Sequence, residues 1–436
     1  MVKKSYPQET IRLEKIVGDG QTIATLDSGK KIFVWGGLPG ELVKVQITKN
    51  KSKMAEGVVA EILEPSNNRL EPIDKDSYIS TSPWQIMDFD LEQKSKAELI
   101  KEAFDLHKID LPNEINIYSD NNIYNYRNKM EFGWYWNKET NQLDLSFFRR
   151  GTHGKIPVEK SELAKDFINQ SAIKIRDFLR RKNVNGFMLK TLLIRCNQKD
   201  EVIAQLYVKD LNFPKFNNIE IEKFNLIGFE IIFSNPNSPA SAITKRLQSW
   251  GENKLVDNLF DINFNYTADS FFQINLPVYK KALDDIKKFI DKNKQTIDLY
   301  SGVGTIGITT AKQNIKLIEI NEQAAGEAKQ NVILNNIKNA EVIISSSEKV
   351  LDYIDKDSNI VIDPPRAGIH ENLIKRFNQV KPLKIIYLSC NPVTQARDVK
   401  LLSENYKIIY HNGYNFFPRT PHIEHLVVLE LLPSSN

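Results

Sequence analysis

The sequence predicts a multi-domain α/β protein: an N-terminal β-barrel, a central α+β segment and a C-terminal doubly wound, mainly parallel sheet. Three observations carry this. Short β-type runs separated by turns fill the segment from Glu9 to about Pro65. Helical and β-type runs alternate from Tyr266 onward, the pattern of a sheet that binds ligands at the C-terminal ends of its strands. Between them the chain mixes short helices and strands without a nucleotide fingerprint. A length of 436 residues allows two or three domains, each with its own core. The expected bounds are 1–66, 67–265 and 266–436.

Composition narrows the class. The chain carries 59 basic and 55 acidic residues, a net charge of +4, which permits nucleic-acid binding without arguing for it. No apolar run approaches the ~18 residues of a membrane span, and Met1-Val-Lys-Lys-Ser-Tyr6 lacks an apolar leader core. A cytoplasmic, monomeric protein is expected. Two cysteines, Cys196 and Cys390, exclude a disulfide framework and a cysteine-rich metal site.

The N-terminal strands are expected at Thr10 to Val17, Gln21 to Leu26, Lys31 to Val34, Leu42 to Ile47 and Gly57 to Leu63. Gly18-Asp-Gly20, Ser28-Gly29, Leu38-Pro-Gly-Glu41 and the basic run Lys49-Asn-Lys-Ser-Lys53 supply the turns. The stretch from Glu14 through Leu38-Pro-Gly-Glu41 to Glu64-Pro-Ser-Asn-Asn-Arg69 resembles a TRAM domain, the OB-like RNA-binding barrel attached to several RNA-modifying enzymes. In the central segment, Leu91 to His107 has helical spacing and is a candidate to pack on the C-terminal domain. Tyr124-Asn-Tyr-Arg-Asn-Lys129, Met130 to Trp136 and Leu145 to Lys155 interleave aromatic with basic residues. That mixture suits base stacking and phosphate contacts, or equally a sheet with an aromatic core and a charged face. Cys196 reads as a strand residue without chemistry.

The C-terminal alternation runs helix Pro277 to Lys292, strand Thr296 to Tyr300, helix Thr305 to Lys312, strand Lys316 to Ile320 and helix Gln323 to Asn335. Strands Glu341 to Ile344 and Asn359 to Ile362, helix Glu371 to Asn378 and strands Lys384 to Leu388 and Leu426 to Leu432 follow. Thr296-Ile-Asp-Leu-Tyr-Ser-Gly-Val-Gly-Thr-Ile-Gly307 is a strand entering a glycine turn before a helix. Gly302 and Gly304 allow a tight turn and close backbone approach to a ligand. The next strand ends near Glu319, an acceptor for a ribose diol. This set fits S-adenosylmethionine or a dinucleotide, and its wording resembles methyltransferase motif I, which favours the former. Val361-Ile-Asp-Pro-Pro-Arg-Ala-Gly368 sets Asp363 at a strand end before a stiff turn. Related Asp/Asn-Pro-Pro turns of amino-methyltransferases usually continue with an aromatic residue, whereas Arg366 stands here.

Cys390 follows the strand Lys384 to Leu388, in Ser-Cys-Asn-Pro. Uracil C5 is a poor carbon nucleophile, and a thiolate adding to C6 makes C5 nucleophilic enough to take a methyl group. A base must then remove the C5 proton so that the thiol can leave. Glu424, in Arg419-Thr-Pro-His-Ile-Glu-His425, is the base candidate. Its flanking His422 and His425 are weighed against a metal site, and no metal is expected.

These motifs together resemble the RNA uridine-C5 methyltransferase family, with the 23S ribosomal RNA enzymes the nearer type, and the resemblance spans the whole chain. It implies S-adenosylmethionine as cofactor, Cys390 as nucleophile and Glu424 as base. Gln273, in Phe271-Phe-Gln-Ile-Asn275, and Tyr300, Gly302, Thr305, Glu319 and Asp363 are implied as cofactor or target-pocket residues. Phe271 or Phe272 is a candidate for nucleotide stacking. Two positions depart from the pattern. Many members hold an iron–sulfur cluster, but Ile79-Ser-Thr-Ser-Pro-Trp-Gln85 and Ser161-Glu-Leu163 lack its cysteines, so no cluster is expected. Ser345-Ser-Ser-Glu348 stands where an acidic residue usually meets the adenine. Large-subunit ribosomal RNA is the expected substrate, and a transfer-RNA T-loop uridine the alternative. A cytidine-C5 methyltransferase and a non-catalytic RNA-binding protein are the remaining readings, the latter disfavoured by the intact Gly302, Asp363, Cys390 and Glu424.

Overall fold

In the computed structural model, which describes residues 7–152 and 154–433, alternating apolar residues of the N-terminal strands close on one another as a core. Ile11, Ala24, Ile32, Val34, Val43 and Val45 fill it. The strands run Gln8–Arg12, Lys15–Val17, Gln21–Thr25, Lys31–Trp35, Leu42–Asn50 and Met54–Glu64. The stretch expected as one strand from Thr10 to Val17 is bent at Leu13 and Glu14. The bend closes the barrel, since its first half pairs with Leu42–Asn50 and its second with Gln21–Thr25. The bend leaves no donor stranded: Leu13 N–H reaches Glu41 O at 2.9 Å and Glu14 N–H reaches Ile23 O at 2.8 Å. The basic run read as a turn is partly strand, because Lys49 lies opposite Glu56 and pairs with it at 2.8 Å. Residues 1–6, His153 and 434–436, which fall in the expected outer domains and in the aromatic–basic stretch, lie outside the described residues.

The central sheet has the order Lys155–Val158, Gln142–Phe148, Lys129–Asn137, Leu189–Cys196, Val202–Val208, Gly228–Phe233, Lys245–Gly251. One face packs through Phe132, Leu145 and Ile194 on helix Asp166–Arg181. The other face supplies Leu193, Ile203, Tyr207 and Ile232 to a second core with Tyr266, Phe272 and helix Leu276–Lys287. Cys196 is fully buried in its strand. The segment Ile79–Gln85 is tied to Glu162 by a polar knot. The Gln85 amide donates to Asp74 Oδ2 at 2.8 Å and to Ser82 Oγ at 2.7 Å, and Asp74 Oδ1 accepts from Glu162 N–H at 3.2 Å.

The third sheet is ordered Ala340–Ile344, Gln313–Glu319, Gln295–Leu299, Asn359–Ile362, Lys384–Ser389, Glu424–Leu431, Tyr406–Tyr414, Ile117–Tyr118. The first five strands are parallel, and Glu424–Leu431 runs antiparallel to Lys384–Ser389. Strand order reverses direction between Gln295–Leu299 and Asn359–Ile362, which opens a crevice at their C-terminal ends. Helix Pro392–Leu402 and strand Tyr406–Tyr414 were not anticipated. Pro392 sits in the first helical turn, where a missing N–H breaks no bond. Helix Phe89–Leu106, capped by Asp88 accepting from Leu91 N–H at 2.7 Å, shares a core with this sheet through Leu99, Ile100 and Phe104. Strand Ile117–Tyr118 adds to the sheet's edge, so two elements of the middle segment build onto this layer.

Candidate active site

Strand Gln295–Leu299 delivers the chain into Tyr300, whose φ of 64° starts a left-handed turn completed by Gly302 (φ 56°) and Gly304 (φ 87°). A side chain on Gly304 would meet Ile308 at 2.8 Å, whereas one on Gly302 would meet nothing, so Gly302 faces open space. Asp298 pins the helix that follows. Its Oδ2 accepts from Gly307 N–H at 2.7 Å, Oδ1 has no partner, and burial pushes its pKa up to about 8. The motif contained this residue, but its role was not read. The signal was there, a lone carboxylate inside an apolar strand.

At the end of the neighbouring strand, Glu319 turns its carboxylate onto the glycine turn. Oε2 accepts from Gly302 N–H at 2.9 Å and Oε1 from Asn321 N–H at 2.7 Å. A carboxylate has about four acceptor directions, so capacity remains for a diol. Gly302, Glu319, Tyr300, Gln273, Asp363, Cys390 and Glu424 line one cleft of about 520 Å³. Thr305 is not among its lining residues; it is buried in the first turn of the helix, with its hydroxyl paired to Tyr279. The cleft holds an open glycine turn, an acceptor carboxylate and a buried amide side chain. That donor set fits S-adenosylmethionine, whose ribose would meet Glu319 and whose amino-acid end would meet the glycine turn and Gln273.

Gln273 reaches the cleft on a loop clamped from below. Arg195, fully buried, donates to Ser270 O at 2.7 Å and Phe272 O at 2.6 Å, and Lys129 reaches Asp269 O and Ser270 O at 3.2 Å. The two phenylalanines separate. Phe272 stacks on Tyr266 at 4.4 Å inside the core, while Phe271 is 68% exposed and lines the cleft.

Glu424 is buried and Asp363 half-buried beside Cys390. Burial raises the Asp363 pKa to about 7 and lifts Glu424 well above the usual carboxylate range, with Asp363 adding to the latter and Arg366 opposing it. Cys390, at the end of strand Lys384–Ser389, is pushed up to about 11, first by burial and then by these two carboxylates. Arg366 is the nearby cation. It donates to His422 Nδ1 at 3.0 Å, and desolvation by the surrounding protein, with the Arg366 charge, lowers the His422 pKa to about 4, so the ring stays neutral and accepts. The Pro-Pro-Arg turn is held by the residues after Cys390: Asn391 Nδ2 and Thr394 Oγ1 donate to Arg366 O at 2.9 and 3.1 Å. His425 lies on the other face of its strand from Glu424. Its Nδ1 meets Gln395 Oε1 at 2.7 Å, and its Nε2 meets His411 Nδ1 at 3.3 Å. The two histidines flanking Glu424 therefore serve different neighbourhoods. The Arg366–His422 bond is not legible in the sequence, because the partners lie on different loops.

The loop Asn415–Pro421, which leads into Glu424, is anchored on helix Phe89–Leu106. Glu92 Oε1 accepts from Asn415 Nδ2 at 2.8 Å and Oε2 from Arg419 N–H at 3.0 Å. Lys96, buried beside Glu92 at 3.2 Å, donates to Asn415 Oδ1 at 2.5 Å.

Residues 88–431 match the family described as tRNA (Uracil-5-)-methyltransferase, and residues 9–60 match the TRAM domain. A Lactobacillus johnsonii protein described as an uncharacterized RNA methyltransferase is 29% identical over 94% of this chain and 95% of its own length. A Clostridium tetani protein of the same description is 30% identical, with 91% of each chain covered. Among solved structures, the Pyrococcus abyssi tRNA (uracil-54, C5)-methyltransferase in complex with S-adenosyl-L-homocysteine superposes with a TM-score of 0.79. It is 25% identical, with 97% of this chain and 100% of that one covered. The chain belongs to the tRNA (uracil-5-)-methyltransferase family and is an S-adenosylmethionine-dependent RNA uracil-C5 methyltransferase with an N-terminal TRAM domain.

Proposed function

We propose that this enzyme methylates C5 of a uridine in large-subunit ribosomal RNA, with Cys390 as nucleophile and Glu424 as base. The observation that carries the chemistry is the convergence of Cys390, Asp363 and Glu424 in the cleft that also holds Gly302 and Glu319. Cys390 Sγ, as thiolate, forms a bond to uracil C6 and drives the electron pair into the ring, which makes C5 nucleophilic. S-adenosylmethionine supplies the methyl group that C5 takes. Glu424 then removes the C5 proton, the electron pair re-forms the C5–C6 double bond, and the C6–S bond breaks to return Cys390. Glu424 must be ionised for this step, and Arg366 is the countercharge that favours ionisation against burial. Asp363 has the position to meet the uracil edge or the cofactor.

Trapping on 5-fluorouridine RNA tests the mechanism, because fluorine at C5 blocks the proton removal. Wild type is expected to form a stable adduct with that RNA and Cys390→Ala none. Glu424→Gln is expected to accumulate an adduct on unmodified RNA. An adduct that survives Cys390→Ala sinks the assignment.

Ribosomal RNA as the carrier rests on the TRAM barrel and the chain length. A transfer-RNA T-loop uridine is the second reading, favoured by the likeness to the Pyrococcus abyssi enzyme, which spans the barrel as well. Mass-spectrometric mapping of 5-methyluridine in ribosomal and transfer RNA, from cells with and without the gene, decides between them. Loss of the T-loop mark with unchanged ribosomal RNA overturns the first reading.

A further inference from the structure

We propose that Trp35 and Arg150 form a stacking subsite for a nucleobase next to the target uridine, so that the enzyme takes its substrate as an unpaired strand. This inference rests on the proposed function of Cys390. A second cavity, of about 850 Å³, adjoins the cofactor cleft, and the two share Arg366 and Cys390. Besides the catalytic loops around Arg366, Cys390 and His422, its walls come from the TRAM barrel (Trp35, Lys49), helix Phe89–Leu106 (Leu106) and the loop holding Arg150 and Gly151.

Within it, the Arg150 guanidinium lies 4.1 Å from the centre of the Trp35 ring. Arg150 is fixed there by its backbone N–H donating to Ser80 Oγ at 2.9 Å and its Nε donating to Ile79 O at 2.5 Å. The guanidinium sits over the indole, and Arg150 is exposed and lines the cavity. A guanidinium centred over an indole, with its other side open, can carry a base, and it joins the barrel to the central sheet across the cavity. Gly151, with φ 73° and nothing within 4 Å of where a side chain would begin, keeps the approach to this plane open. A thiol reached from a cavity with such a platform suits a base turned out of its stack, with a neighbouring base held on Arg150. A duplex, with both strands stacked, offers no free base face to this plane.

The test uses the full chain and the 5-fluorouridine transcript, ribosomal or transfer RNA, that wild type traps. That transcript is also rebuilt with one abasic nucleotide at each position flanking the trapped uridine. Arg150→Ala and Trp35→Ala are expected to raise the RNA concentration for half-maximal trapping by about tenfold to hundredfold. The trapping rate at saturating RNA and the apparent affinity for S-adenosylmethionine are expected to stay unchanged. Arg150→Lys, which keeps the charge but not the plane, is expected to match Arg150→Ala. One abasic position should weaken wild type and leave Arg150→Ala no weaker than it already is. Wild-type affinity in Arg150→Lys, or abasic losses equal in wild type and Arg150→Ala, overturns the subsite. Circular dichroism confirms that each variant is folded. Failure of wild type to trap any transcript overturns the proposed chemistry instead.

Discussion

Alkylation of Cys390 in the free protein measures how the site holds its nucleophile. With burial and the neighbouring carboxylates pushing the thiol to about 11, the thiolate fraction at pH 7.5 is about three in ten thousand. A free cysteine with a pKa of about 8.5 is about one-tenth ionised at that pH, so iodoacetamide should modify Cys390 about 300-fold more slowly. Cys196 does not confuse the readout, since it is fully buried and pushed up to about 12. Peptide mass spectrometry of the folded chain at a series of pH values would give the rate at each cysteine. The logarithm of the Cys390 rate should climb with unit slope and show no plateau below pH 9. Asp363→Asn removes one of the two carboxylates that raise the thiol and should speed alkylation, by less than about tenfold because burial is the larger cause. A plateau at or below pH 8.5, or slower alkylation in Asp363→Asn, refutes the reasoning. If it holds, the resting enzyme stores a thiol, and the thiolate forms only with the other reactants in place.

Glu319→Ala removes a carboxylate bonded to the Gly302 amide and facing the cleft. Titration with S-adenosyl-L-homocysteine should show about tenfold to hundredfold weaker binding, the value of one or two charged hydrogen bonds, with RNA affinity unchanged. Equal cofactor affinity would remove Glu319 from the site. For Asp298, the folded pKa of about 8 lies above that of the unfolded chain, so the fold favours the protonated acid. Its contribution to stability is full at acid pH and drains away as pH rises from about 4 to about 8. Asp298→Asn keeps the acceptor for Gly307 and should flatten that decline, read as urea midpoints at pH 5 and pH 8. A steeper decline in the variant contradicts the assignment. Glu92→Ala strands the buried Lys96 and frees the loop before Glu424. Urea unfolding should register a loss of about 3–5 kcal/mol, as for other broken buried pairs, and a loss below 1 kcal/mol would show the loop held by other contacts.

The parts of this protein written in local pattern were legible in its sequence. Alternating runs announced the parallel sheet, turn residues announced the barrel, and Gly302, Asp363 and Cys390 each stood at a strand end. The errors were local too. The strand expected to run straight from Thr10 to Val17 bends at Leu13 and Glu14, because closing the barrel requires pairing with both edges. Helix Pro392–Leu402 was missed because a proline at a helix start reads like a loop.

What the sequence determined by itself was the inventory: a cofactor turn, a thiol, carboxylates and a barrel, with spacings that suit one chemistry. Convergence was decided only by the tertiary structure. Strand order, set by packing across the whole sheet, brings Gln273, Glu319, Asp363, Cys390 and Glu424 to one cleft. Packing also separates Phe271 from Phe272 and joins Arg366 to His422. Packing of the central sheet against the barrel sets Arg150 over Trp35 in the cavity that Cys390 also lines. Period and propensity act over a few residues, whereas a site is made by contacts between residues far apart in the chain, whose geometry only the closed core defines.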